Sequence, residues 1–454
     1  MKRFTLLLLF GTTILFFGCI KSEENEFEDI NSWIRDNMEE TYLWNERVPA
    51  KVNGSIPPVA FFGSMLNPED DISFIVRNGQ ALLNDVEGFT FSSGISPSFG
   101  QFSNGGVFII VEFVYPGTPA ALSGIKRGDI ILEVNDTPLN TLNFLNLFYS
   151  ETSSVKYALG NYNSETKTIS YLDSTVTVEQ DELELNPVIY SDVIEEGNSK
   201  IGYIMYSDFK SGTSGRFNDS LDLALQDIKA EGVTDLIVDL RYNTGGDFEA
   251  AKNFANALVP QSVAQNEEVF VKFRYNDILQ QQIIQEEGEN SENLIIKFEI
   301  DPENLDMNKI YFLTTSKTSS TSELLINGLN PHMEVVQIGS ATAGEYFETR
   351  ILLGSDATPP NSYAMVPIVL QYENSEGTTG FDSGLQPDFP VLDNLLNVEA
   401  VGAAEDPLIS RAIDDIRNST SSASNKIFTK PYKDLVDKRK KRLGRIMFPP
   451  ERKN

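Results

Sequence analysis

The run Thr318-Ser319-Ser320-Thr321-Ser322-Glu323 follows closely on the apolar stretch Ile310-Tyr311-Phe312-Leu313. An apolar run bounded by small polar residues reads as a buried strand. The Leu-Leu-Ile stretch after Glu323 reads as a helix, with Ser and Thr available as caps. A serine at such a strand-to-helix turn presents its hydroxyl, and the unpaired N–H groups of the first helical turn can hold a developing oxyanion. The chemistry suggested is nucleophilic attack by a serine on an acyl carbon. Few other hydrolytic routes are open. With one Cys and one His in 454 residues, a zinc site lacks ligands, so neither a metal nor another cofactor is expected. A disulfide within the chain is impossible.

A second element of such a site stands upstream. Leu236-Ile237-Val238-Asp239-Leu240 reads as a buried strand, Arg241-Tyr242-Asn243-Thr244-Gly245-Gly246 as a turn, and Phe248 to Leu258 as a helix. Two adjacent glycines let backbone approach a substrate carbonyl closely. An ordinary helix-starting turn is the alternative. Ile201-Gly202-Tyr203-Ile204 reads as a further strand, and Leu221 to Lys229 has helical spacing. Strand–helix alternation over 199–400 predicts an α/β layer structure.

Other regions differ in pattern. Ile30, Trp33, Ile34, Met38, Tyr42 and Leu43 recur at three- and four-residue steps, predicting a helical domain over 29–80. Residues 86–185 read as short strands punctuated by Gly and Pro. Residues 409–454 read as a Ser-rich spacer followed by a basic tail, with eleven Lys or Arg against three acids from Lys426 onward. Three fates are open to that tail: contact with anionic lipid, contact with the acidic body of its own protein, or simple solvation. The formal net charge of −30 argues against nucleic acid as a partner.

The first residues read as targeting. Lys2 and Arg3 precede the apolar run Phe4 to Phe17, too short to span a bilayer comfortably. Gly18-Cys19 and a polar stretch follow. This resembles a bacterial lipoprotein signal, with Phe16 where Leu is usual. The resemblance implies a signal peptide over 1–18, lipid attachment at Cys19, a tether over 19–28, and a membrane-anchored protein of the cell envelope.

Within 86–185, Pro116-Gly117-Thr118-Pro119-Ala120-Ala121-Leu122-Ser123-Gly124-Ile125-Lys126-Arg127-Gly128-Asp129-Ile130-Ile131-Leu132-Glu133-Val134-Asn135-Asp136 resembles a PDZ domain. Such domains add a peptide as an extra strand at a sheet edge. Ser93-Gly94-Ile95-Ser96 is the candidate carboxylate-binding loop, with Gly94 and Ile95 as peptide-binding residues. A PDZ fold kept as spacer or lid is the alternative.

The order of these parts, with Asp-Leu-Arg-x-Asn-x-Gly-Gly and Ser-x-Ser-Glu, resembles the carboxy-terminal processing or tail-specific serine proteases over about 29–400. The resemblance implies an α/β multidomain fold: an N-terminal helical segment, a PDZ-like β domain and a spiral ββα core of the ClpP/crotonase kind. It maps the nucleophile onto Ser320 and the oxyanion hole onto Gly245, Gly246 and Thr321. Gly384-Leu385-Gln386-Pro387-Asp388 matches a further family segment. The family's catalytic base is a Lys inside a Val-Gly-Glu-x-Thr-x-Gly-Lys pattern. Here Ile338-Gly339-Ser340-Ala341-Thr342-Ala343-Gly344-Glu345 fills that frame, so the Lys position is Glu345, and the position of a common downstream Gln is Thr349.

A serine hydroxyl needs a neighbouring base. Glu345 is one candidate, since a carboxylate against an apolar wall has a raised pKa suited to such work. Lys317 is another. His332, twelve residues after Ser320, would lie about 18 Å along a continuous helix and reads as a helix-end residue. Two functions follow: an envelope-anchored serine peptidase cutting unstructured polypeptide tails with a free or extended C-terminus, or a catalytically impaired relative that binds peptides as a lipoprotein.

Overall fold

The computed structural model describes residues 27–87, 89–197, 199–354, 363–417, 430–444 and 446. The leader, Cys19 and most of the 19–28 tether lie outside the described residues.

The centre is a six-stranded sheet in the order Val188–Glu196, Ser199–Tyr206, Asp235–Asp239, Lys309–Thr314, Glu334–Gly339, Phe389–Pro390. Its first pair is antiparallel and the other four pairs are parallel. Side chains alternate across a strand. Ile204, Tyr206, Leu236, Val238, Ile310 and Phe312 therefore face one way, into a core shared with helices Arg216–Ala230, Phe248–Leu258 and Thr321–Leu329. Tyr203, Met205, Ile237, Tyr311, Leu313 and Ile338 face the other way. They pack with helix Pro407–Ile416 and with Phe108, Ile110 and Phe113 of the next domain. Strands covered on both faces read as unbroken apolar runs, which is why Leu236-Ile237-Val238 and Ile310-Tyr311-Phe312-Leu313 were legible. Each such side chain contributes roughly 1.5 to 3 kcal/mol on full burial.

The PDZ-like sheet runs Tyr432–Leu435, Ile95–Phe102, Val107–Val114, Ile130–Val134, Ser154–Asn163, Thr168–Glu179. Its own core includes Phe99, Ile109, Ile131, Val155 and Tyr157. A four-stranded sheet, Ile295–Lys297, Val269–Tyr275, Ile368–Asn374, Phe347–Thr349, flanks the central helices.

Two boundaries need correction. The segment 29–80 is not all helical: after helices Glu28–Thr41 and Pro58–Gly63, Phe74–Val76 pairs antiparallel with Ala364–Val366. That pairing fastens the N-terminal region to the protease-like core. Nor does a spacer begin at 409. Helix Pro407–Ile416 is capped by the Asp406 carboxylate, which accepts from the N–H groups of Leu408 and Ile409. Leu408, Ile409, Ala412 and Ile413 form a buried stripe on that helix. Polar Ser410, Asp414 and Asp415 masked the stripe in the sequence. Of the three fates open to the basic tail, residues 430–444 and 446 show contact with the protein's own body, as strand Tyr432–Leu435 and helix Lys438–Gly444.

Candidate active site

The turn at 240–246 and the loop at 315–322 leave the C-terminal ends of neighbouring parallel strands. Small polar side chains lace them together. Thr318 Oγ1 donates to Leu240 O at 2.8 Å, Ser319 Oγ to Thr244 O at 2.9 Å, Ser322 Oγ to Asn243 O at 3.2 Å and Thr321 Oγ1 to Gly246 O at 2.7 Å. The turn itself is anchored from below. Arg241 is buried with Asp239, Asp393 and Asp406, reaching Asp406 through Nη1 at 2.9 Å and Nη2 at 3.1 Å. Asn243 Nδ2 donates to Tyr206 O at 3.0 Å.

Ser320 sits at the start of helix Thr321–Leu329 with φ 54° and ψ −120°, a conformation a β-carbon opposes. It is 1 % exposed. The Ser320 N–H donates to Glu323 Oε2 at 3.0 Å. Glu323 also accepts from the Thr342 hydroxyl, from Gly344 N–H at 2.7 Å and from Glu345 N–H at 2.8 Å. One carboxylate thus binds the loop of residue 320 to that of residue 345. Burial pushes the Glu323 acid up to about 7 despite these donors, and the nearby Glu345 charge adds to the rise.

The diglycine converges on the same place. A Cβ on Gly245 would lie 2.8 Å from Ser320 Cβ and 3.0 Å from Ser319 O, so only glycine fits there. As an oxyanion donor, however, Gly245 is a correction: its N–H is taken by Asn243 Oδ1 at 2.9 Å. The N–H groups of Gly246 and Thr321 carry no hydrogen bond among the described residues. They are the two donors left for a developing oxyanion.

A carboxyl other than Glu345 stands within reach of the Ser320 hydroxyl. Ser320 Oγ donates to Glu348 Oε2, at 3.5 Å, the outer limit of a hydrogen bond. Glu348 is 0 % exposed, and its Oε1 has no hydrogen-bond partner. Burial holds its acid well above the usual carboxylate range, and the adjacent charge of Glu345 raises it further. Glu345 itself is 7 % exposed beside it. Glu345 is one of the two candidates the sequence offers; Glu348, which has no counterpart in the motif frame, is not among them. Strand Phe347–Thr349 carries it in, with a register irregularity between Glu348 and Thr349 against Ile368–Asn374. Lys317 is excluded as base. Its Nζ is bound to the Glu112 carboxylate and, at 2.8 Å, to Ser98 Oγ. His332 closes the helix end, its N–H donating to Leu329 O at 2.9 Å, with its ring against Val269 O and Ser375.

In the PDZ-like domain, Ile95 lines a cavity of about 140 Å³ that extends to Gly245 and Gly246. Gly94 does not serve as expected: its N–H donates to Ser92 Oγ at 3.0 Å, and a Cβ there would meet the Thr118 side chain at 2.2 Å.

Three family models match this chain: Peptidase family S41 over 200–391, Peptidase S41 N-terminal domain over 29–74, and PDZ domain over 110–148. Among curated proteins, it is 27 % identical over 183 residues to the chloroplastic C-terminal processing peptidase of Tetradesmus obliquus, covering 37 % of each chain. It is 23 % identical over 326 residues to the chloroplastic carboxyl-terminal-processing peptidase 2 of Arabidopsis thaliana, covering 69 % of this chain and 55 % of that one. The chain thus spans between 37 % and 55 % of these relatives' own length. Among solved structures, a Bacteroides fragilis chain described as an S41 protease superposes with a TM-score of 0.70 at 25 % identity, covering 85 % of this chain and 97 % of that one. The photosystem II D1 C-terminal processing protease superposes with a TM-score of 0.50 at 18 % identity over 81 % and 93 % of the two chains, a likeness of fold alone.

Proposed function

This chain belongs to the C-terminal processing peptidases of family S41 with a PDZ domain, and from that premise we propose that it is a serine peptidase acting on polypeptide tails, with Glu348 in the role the family gives to lysine. Ser320 Oγ attacks the scissile carbonyl carbon and its proton passes to the ionised Glu348. The Gly246 and Thr321 N–H groups hold the oxyanion. As the intermediate collapses, the C–N bond breaks and Glu348 returns the proton to the departing amine. Water then repeats the sequence on the acyl-serine.

One observation carries this reading: Ser320 is held in a strained backbone conformation with its hydroxyl on a buried carboxyl and two unused N–H donors close by. Such strain costs on the order of 1 to 3 kcal/mol and persists only where the surroundings enforce it. A fluorophosphonate probe tests it. Labelling of the wild type but not of Ser320→Ala is the expected result, increasing with pH as the base ionises. Absence of labelling from pH 4 to 9 would sink it.

A second reading is a relative that binds polypeptide without cutting. What favours it is that neither Glu323 nor Glu348 forms an ion pair with a cation among the described residues. A carboxyl kept neutral cannot accept the serine proton. Under this reading Glu345→Lys gains cleavage of an unstructured substrate such as casein, while the wild type has none.

We also propose that Cys19 is lipid-modified and holds the protein at the cell envelope, on the strength of the leader's resemblance to a lipoprotein signal. Labelled palmitate incorporation that persists in Cys19→Ser would contradict this.

A further inference from the structure

Residues 430–444 and 446 lie along the groove that a PDZ domain offers to a peptide. Tyr432–Leu435 pairs antiparallel with Ile95–Phe102, in the register Tyr432 to Phe102 and Leu435 to Phe99, completing an edge the domain would otherwise leave open. The Tyr432 ring meets Phe108 edge-on at 5.0 Å. The chain then turns into helix Lys438–Gly444, capped by Asp437, which accepts from the N–H groups of Arg439 and Lys440. The helix heads for the catalytic loops.

Two contacts along this path are specific. The first is ionic. Glu112 is 0 % exposed. One of its oxygens is held by Lys317, and the other, Oε2, accepts from Lys440 Nζ at 3.1 Å and from Ser96 Oγ at 2.8 Å. Lys440 Nζ also donates to Ser96 Oγ at 3.1 Å. Without a cation from the segment, half of a buried carboxylate keeps only a serine. The second is steric. The Gly444 carbonyl oxygen would be 2.5 Å from a Cβ on Gly245, the point that is also 2.8 Å from Ser320 Cβ. A Cβ on Gly444 would in turn meet Thr244 Oγ1 at 2.2 Å. A backbone carbonyl of the segment thus lies beside the nucleophile, with a glycine where no larger residue fits. Beyond it, Ile446 bridges in parallel to Thr349 and is buried with Phe74 and Val366. Charge agrees: Lys438 to Arg442 are five consecutive cationic residues in a chain of net charge −30.

We propose that segment 430–446 is a ligand in cis, filling the channel from the PDZ sheet edge to Ser320, and that the Glu112–Ser96 site is a subsite for a lysine-type side chain in any polypeptide that replaces it. Substrates or ligands of this channel then carry an extended stretch for the sheet edge, a basic residue for Glu112, and a small residue at the diglycine turn. The segment must leave before another chain enters.

The test reads binding rather than turnover, so its result stands apart from whether Ser320 is catalytic. A fluorescent peptide of residues 430–446 is added to the full chain carrying Ser320→Ala, and to the same chain carrying Gly444→Val in addition. A ligand in cis competes at an effective concentration on the order of millimolar. The Gly444→Val side chain clashes with Thr244 and evicts the segment, which should tighten binding of the added peptide by about tenfold or more. On the evicted chain, a peptide with Lys440→Glu should bind about tenfold or more weakly, and one with Lys440→Arg should bind nearly as well as the parent peptide. Full-chain Lys440→Glu is the second eviction variant, with no Cβ clash to disturb folding, and should also admit the peptide. Hydrogen exchange should show protected Tyr432–Leu435 amides in the parent chain and loss of protection in both variants. Equal peptide affinity for parent and evicted chains, indifference to the Lys440→Glu change, or unprotected 432–435 amides in the parent would each overturn the proposal.

Discussion

Two fully buried glutamates, one in the PDZ-like domain and one beside Ser320, are shifted in opposite directions. Glu112, on the PDZ side, touches two ammonium groups. Burial opposes its charge, but Lys317 and Lys440 outweigh it and hold its acid below the usual range. Glu348, on the Ser320 side, meets a serine hydroxyl and other acids, and burial with the Glu345 charge drives it well above that range. Equal burial therefore goes with a lowered acid in one place and a raised acid in the other, and the partners decide which. The motif frame places lysine at residue 345. The chain instead has glutamate there, and the described lysine nearest in sequence, Lys317, serves the far wall.

The two shifts give opposite pH dependences. Glu112 is lowered in the folded protein, so its stabilising effect is present above the ordinary carboxyl value and fades as pH falls through that value and below. Glu323 rises from 4.5 to about 7, and Glu348 rises as well. There the folded protein keeps protons that the unfolded chain releases, so stability declines as pH rises from about 4.5 through about 7 and beyond.

The largest effect expected is at the paired glutamate. Glu112→Ala leaves Lys317 and Lys440 uncompensated and removes the anchor of segment 430–446. Loss of about 3 kcal/mol or more in urea denaturation at pH 7 is expected; a loss under about 1 kcal/mol would show that the pairing is not what settles this wall. Next comes the unpaired one. Glu348→Gln keeps the shape and removes the titration, so it should match wild type near pH 4.5. At pH 8 it should be the more stable of the two, because only the wild type then carries a carboxyl that the folded state protonates more readily than the unfolded chain does. A destabilised variant at pH 8 would mean that Glu348 is a supported anion. The smallest effect concerns the lacing between the loops. Ser319→Ala removes one hydrogen bond, to Thr244 O at 2.9 Å, and should cost about 1 kcal/mol in the same assay. A loss several times larger would show that the lacing is cooperative.

The sequence carried the framework well and the electrostatics poorly, for physical reasons. Parallel strands buried on both faces and a regular helix such as Phe248–Leu258 are written in local periodicity, as is the turn that seats Gly245 against Ser320. Glu348 is different. It reaches Ser320 because Phe347–Thr349 pairs with Ile368–Asn374 with an irregular register, a non-local matter that no motif spacing records. The use of the Gly245 N–H by its own neighbour Asn243 was equally hidden, since it depends on a rotamer within the turn. Strand Tyr432–Leu435 is four residues long in a strongly charged stretch and has no periodicity of its own. It becomes a strand only because an open edge lies beside it.

The most direct measurement is the rate of Ser320 labelling by a fluorophosphonate from pH 4 to 10 in wild type, Glu345→Gln and Glu348→Gln. With Glu348 as proton acceptor, the wild-type rate climbs as the acids lose protons. In Glu345→Gln the climb shifts to lower pH, because a charge that opposes ionisation is gone, and in Glu348→Gln it disappears. Unchanged labelling in Glu348→Gln, with the wild-type pH dependence intact, would contradict a carboxyl-activated serine at this site.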